Sequence, residues 1–121
     1  MRVGRKEKIN ELRGFLFDKL KDEKAFWSYV PESVVLSKID DDNIIALTMR
    51  HLDLPEIDQL FTVFSTHKIK EAWKKLLVPE GEYLYTLNRF FAWYYFNAKH
   101  PDSYLKSLQT RHLNRIIHQL Q

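Results

Sequence analysis

Phe90-Phe91-Ala92-Trp93-Tyr94-Tyr95-Phe96 places six aromatic residues in seven positions, and eight of the chain's seventeen aromatics fall between Tyr83 and Phe96. A buried aromatic side chain removes roughly 150–250 Å² from water. A solvated helix cannot carry that much apolar surface, so the segment must be the pillar of a core, or half core and half docking surface. The run is bracketed by Pro79-Glu80-Gly81, which reads as a loop, and by Lys99-His100-Pro101-Asp102, which ends a helix. An aromatic helix from Glu82 to Ala98 is the expectation.

Upstream, three glycines and four prolines in 121 residues are too few for the tight turns of a small all-β fold. The apolar spacing is mostly helical. A first helix from about Arg5 to Lys21 uses Ile9, Leu12, Leu16 and Leu20. An aromatic knot of Phe26, Trp27 and Tyr29 follows, and Pro31 disfavours helix at Val30. The stretch from Ser33 to Ile39 fits either a short helix or an extended strap. Asp40-Asp41-Asp42 is a helix start, because carboxylates cap free N–H groups and meet the positive end of the helix dipole. That helix uses Ile44, Ile45, Met49 and Leu52. Asp53-Leu54-Pro55-Glu56 is a second start, with Glu56 at the capping-box position. Ile57, Leu60, Phe61 and Phe64 then make the clearest amphipathic stripe. Ser65-Thr66 caps a further helix to about Leu77, with Ile69, Ala72, Trp73 and Leu76 inward. A last helix from Asp102 or Ser103 to Leu120 uses Leu105, Leu108, Leu113, Ile116, Ile117 and Leu120 as its apolar positions. The expected fold is all-α, one multi-helix domain over residues 1–121 with a helix-turn-helix-like tri-helical centre and an aromatic-rich core helix.

The net charge of +3 conceals a segregation. Residues 1–21 carry seven Lys/Arg against three Asp/Glu, residues 22–60 three against nine, and residues 83–121 five against one. The acidic middle either compensates itself on folding or presents Asp41, Asp42 and Asp58 to a basic protein partner. The opposite sign appears on the helix after Ser65, where Lys68, Lys70, Lys74 and Lys75 could contact nucleic-acid phosphates in a DNA-reading arrangement. Lysine without Arg, Asn or Gln is poorly suited to bidentate base reading.

No cysteine is present, which removes disulfides, thiolate catalysis and Cys-based zinc sites. His51, His67, His100, His112 and His118 form no HExxH pair or tight carboxylate cluster, so neither a metal nor a cofactor is expected. No nucleophile elbow or phosphate-cradling glycine loop exists. No signal peptide and no membrane span is visible, which makes a cytoplasmic protein the expectation. Arg111 and His118 match in spacing the Arg…His motif of helical ribonucleases from prokaryotic toxin systems, where imidazole and guanidinium could serve acid–base chemistry and phosphate binding.

One resemblance spans Phe26 to about Ala98. It rests on Phe26-Trp27, the apolar-then-basic segment from Ile44-Ile45 to Arg50, Asp58-Gln59-Leu60-Phe61, Lys68-Ile69-Lys70-Glu71, and the aromatics from Tyr83-Leu84 to Phe96-Asn97. In this order they resemble small bacterial helical domains regarded as antitoxin-like partners of nucleotidyltransferase-type abortive-infection toxins. The resemblance implies a non-enzymatic interaction domain whose partner is a nucleotidyltransferase; burial of the extra aromatic surface in a homodimer is the alternative. It carries no catalytic residues. A DNA-binding regulator is the alternative expectation, and a ribonuclease the third.

Overall fold

The computed structural model describes residues 4–27, 29 and 34–120. Its six α-helices, with no strand among the described residues, are α1 (Arg5–Asp22), α2 (Asp41–His51), α3 (Leu54–Val63), α4 (Thr66–Leu76), α5 (Tyr85–Tyr94) and α6 (Pro101–Leu120). Two 3₁₀ segments, Leu36–Lys38 and Val78–Leu84, precede α2 and α5. Packing divides the chain into two units, Met1–Ala72 and Trp73–Gln121, with the division inside α4.

In the first unit α1 lies against both α2 and α3, and α2 against α3. The stripe of α1 is Leu12, Leu16, Phe17 and Leu20, all buried, whereas Ile9 is only half-buried. A Schellman motif ends α1. The Ala25 N–H reaches the Leu20 carbonyl at 2.9 Å and the Lys24 N–H reaches Lys21 at 3.0 Å. The left-handed position, usually glycine, is Lys24 at φ 57°. Of the expected aromatic knot, Phe26 packs on Phe17 and Tyr29 at ring separations of 5.5 and 5.4 Å. Trp27 is 84% exposed and lies outside it. Pro31, Val30 and Ser33 lie outside the described residues. Val34 and Val35 precede a single 3₁₀ turn, so this stretch is part strap and part helix.

Asp40 caps α2 through its side chain, accepting the Asn43 N–H at 2.9 Å. Six consecutive residues of α2, Ile44 to Met49, are buried. An amphipathic stripe understates this helix, which is surrounded on all sides. Asp53 holds the N-cap position of α3 but makes no side-chain cap bond, so the expected capping box does not form. Phe64 is buried as the C-cap residue of α3 rather than within it. Ser65 caps α4, its Oγ accepting the Lys68 N–H at 3.1 Å.

In the second unit α5 packs on α6 and on the Val78–Leu84 turn, and α6 packs on that turn. The expected Glu82–Ala98 helix is shorter at both ends. Gly81, at φ 63°, breaks the chain ahead of it, and the 3₁₀ turn continues to Leu84. Beyond Tyr94 the chain turns through Asn97 at φ 56°, with the Ala98 N–H reaching the Ala92 carbonyl at 2.9 Å. The core face of α5 is Asn88, Phe91 and Ala92. Asn88 is fully buried and doubly bonded. Its Oδ1 accepts the Trp73 indole N–H at 3.0 Å, and its Nδ2 donates to the Leu77 carbonyl at 3.0 Å. Leu77 follows the last turn of α4, where carbonyls lack intrahelical donors. The Trp73 ring in turn contacts Phe96 at 4.8 Å.

Candidate interaction surfaces

Asp41 and Asp42 have partners inside the fold. Arg13 donates to Asp41 at 2.6 Å and to the carbonyls of Leu36 and Ile39 at 3.0 and 2.5 Å. Asp42 pairs with Lys68 at 3.2 Å. The basic residues come from α1 and α4, so basic segments compensate the acidic middle inside the first unit. The Asp42–Lys68 pair also joins a partner-binding candidate to a nucleic-acid candidate. Asp58 is exposed on α3.

The four lysines of α4 do not form one stripe. At about 100° per residue, Lys68 and Lys75 fall on one flank of the outward side and Lys70 and Lys74 on the other, with His67 and Glu71 between them. Lys70 and Lys74 are half-buried, unlike the exposed Lys68 and Lys75. A recognition helix presents its reading residues along one edge to the groove.

The outward side of α5 is different. Phe90, Trp93 and Tyr94 form a cluster there, with Phe90 stacked on Tyr94 at 5.1 Å and Trp93 at 6.2 and 6.1 Å from the two. Trp93 is 58% and Tyr94 47% exposed. Of the two expectations for this run, a core pillar or half core and half docking surface, the second fits better, since Phe91 is the one aromatic of α5 that is buried. The one formal charge on α5 is Arg89, whose Nε pairs with Asp102 at 3.0 Å. The same carboxylate accepts a hydrogen bond from the Tyr85 hydroxyl, which holds that phenol above its ordinary pKa and keeps it protonated. Beside this network, Glu82, Ser103, Lys106 and Gln109 help line an open cleft of about 460 Å³. Tyr85 and Asp102, which also line it, are bonded to each other.

The N-terminal half of α6 buries Leu105 and Leu108. The other four apolar positions expected in the core, Leu113, Ile116, Ile117 and Leu120, are exposed. Arg111 and His118 are two turns apart on the opposite, solvent-facing side of α6. Among the described residues no group of three or more His, Asp or Glu side chains could hold a metal ion, and no helix is long and apolar enough to cross a membrane. Comparison with family models, curated proteins and solved structures finds no match to this chain.

Proposed function

We propose that the chain is a non-enzymatic protein-interaction domain that docks a partner through the outward side of α5. The observation carrying this reading is the cluster in which the exposed Trp93 and Tyr94 pack with the half-buried Phe90. Tyrosine and tryptophan supply much of the binding energy at interface centres, and exposed apolar patches mark docking sites. A stacking platform for single-stranded nucleic acid requires a cationic groove beside its rings. The only cation on α5 is Arg89, already paired with Asp102, which favours protein over nucleic acid.

The resemblance to antitoxin-like domains supplies the partner class, a nucleotidyltransferase. Asp41 and Asp42 are then supports of the fold rather than the contact surface, because Arg13 and Lys68 occupy them. The test is co-expression with the nucleotidyltransferase of a neighbouring gene, followed by gel filtration. Co-elution is expected, and it should be lost in the Trp93→Ser, Tyr94→Ser double variant while circular dichroism is unchanged. Separate elution of the wild-type proteins would overturn the reading.

A further inference from the structure

The exposed half of α6 carries a second apolar surface, independent of the α5 cluster. Leu113, Ile116, Ile117 and Leu120 are 56%, 40%, 45% and 83% exposed. Their spacing of i, i+3, i+4 and i+7 puts them on one side of the helix. The buried Leu105 and Leu108 precede them on the same helix but lie to one flank of this stripe, on the line that continues to His112 and Arg115. From the structure we infer that this stripe pairs with the same stripe of a second copy of the chain, the two helices running antiparallel.

Two features select a second copy over other occupants. The first is symmetry in the stripe itself. Leu-Ile-Ile-Leu at 113, 116, 117 and 120 reads the same in both directions about a point between Ile116 and Ile117. An isologous two-fold contact needs such a self-complementary surface. Antiparallel pairing sets Leu113 of one copy against Leu120 of the other, and Ile116 against Ile117. The opposed helix dipoles also favour this direction.

The second feature is where the charge lies. Between residues 110 and 120 the formal charges are Arg111 and Arg115, with no carboxylate. At about 100° per residue both fall on the side opposite the stripe, with His118 beside them. The positions bordering the stripe are His112 and Gln119 on one flank and Thr110 and Asn114 on the other. Gln119, Thr110 and Asn114 carry no charge, and each can both donate and accept hydrogen bonds. Self-pairing therefore brings no like charges together at the rim, and the two sets of arginines point away from each other. An anionic membrane or an acidic groove would be met best by cations on the flanks, where long basic side chains reach the surface. Here the flanks carry none.

Sedimentation equilibrium of the full chain alone, at increasing concentration, tests the pairing. A reversible monomer–dimer equilibrium is expected, and Ile117→Glu should leave only monomer over the same range. Its helical circular dichroism should match the wild type, because the side chain is exposed. The absence of cysteine permits a direct test of direction. Leu113→Cys and Leu120→Cys chains, mixed and oxidised, should form the mixed disulfide. Leu113→Cys alone should not, because antiparallel pairing separates the two Leu113 positions by about seven residues, or roughly 10 Å. Bridged cysteines need Cα atoms within about 7 Å. A wild type that stays monomeric at high concentration overturns the inference. So does a dimer unaffected by Ile117→Glu, or efficient self-crosslinking of Leu113→Cys. A monomeric wild type that pellets with phosphatidylserine vesicles assigns the stripe to a membrane instead.

Discussion

Replacing Asn88 with leucine keeps a side chain of similar size while removing both hydrogen bonds of the buried amide. The Trp73 indole N–H and the Leu77 carbonyl then lose their partners, each bonded at 3.0 Å in the native structure. Trp73 is 0% exposed, so its N–H cannot turn to water. A buried polar group left unpaired costs about 1–3 kcal/mol. Two such groups give about 2–6 kcal/mol, reduced because the amide no longer has to be desolvated, for an expected loss of about 2–4 kcal/mol. Against the 5–15 kcal/mol typical of folded domains, that is a large fraction. The assay is urea denaturation followed by tryptophan emission. Trp27 and Trp93 are 84% and 58% exposed, so the blue-shifted part of the signal belongs to Trp73. In a Trp73→Phe background only the carbonyl remains to be orphaned, and the cost of Asn88→Leu should fall by about 1–2 kcal/mol. A loss below about 1 kcal/mol in the wild-type background, or strict additivity in the double-mutant cycle, would refute the reasoning.

Three further outcomes follow from particular residues. Lys24 holds the left-handed position of a Schellman motif, so Lys24→Gly should raise stability by about 0.5–1 kcal/mol in thermal unfolding, where a decrease would contradict the assigned backbone. Thr48 Oγ1 is buried without a hydrogen-bond partner, so Thr48→Val should stabilise by about 1 kcal/mol, measured as a higher urea midpoint at unchanged slope. Burial first, and then Arg50, hold the His51 pKa below its ordinary value of 6.5. The unfolded chain therefore binds a proton that the folded chain refuses as pH falls below about 6.5, and this contribution to stability is complete above that pH and lost below it. His51→Gln should flatten that part of the pH–stability curve, and an unchanged slope would show that His51 is not its source.

What could be read in the sequence was mostly local. The Asp40 cap, Pro55 in the first turn of α3 and the Ser65 cap are chemistry within four residues, and each start lies where that chemistry puts it. The ends of the aromatic helix were less legible, because they depend on Gly81 and Asn97 taking left-handed conformations that flanking residues do not dictate. The complete burial of Ile44 to Met49 was hidden for another reason. Asn43, Arg50 and His51 at its ends give the helix an amphipathic look, while α1 and α3 both pack on it. The candidate surfaces were the hardest part. Asp41–Arg13 and Asp42–Lys68 join residues 28 and 26 positions apart, so counting charges along the chain could not separate an internal pair from a display. Periodicity likewise revealed the apolar sides of α5 and α6, and the excess of aromatics implied some uncovered ring surface on α5, but neither singled out Trp93 or Ile117 as the uncovered residues.

Arg13 also fixes a length. Its guanidinium reaches the carbonyls of Leu36 and Ile39 and the carboxylate of Asp41, so one rigid fork measures the chain at three points within six residues. Lysine has one nitrogen where arginine has two to share among these acceptors, and cannot make the same measurement. Insertions or deletions between Leu36 and Asp41 would pull at least one acceptor out of register with the helix that carries Arg13. In the Pro79–Glu82 turn, by contrast, Gly81 has open space around it. Length variation among relatives of this chain should therefore gather at the second turn and avoid the first.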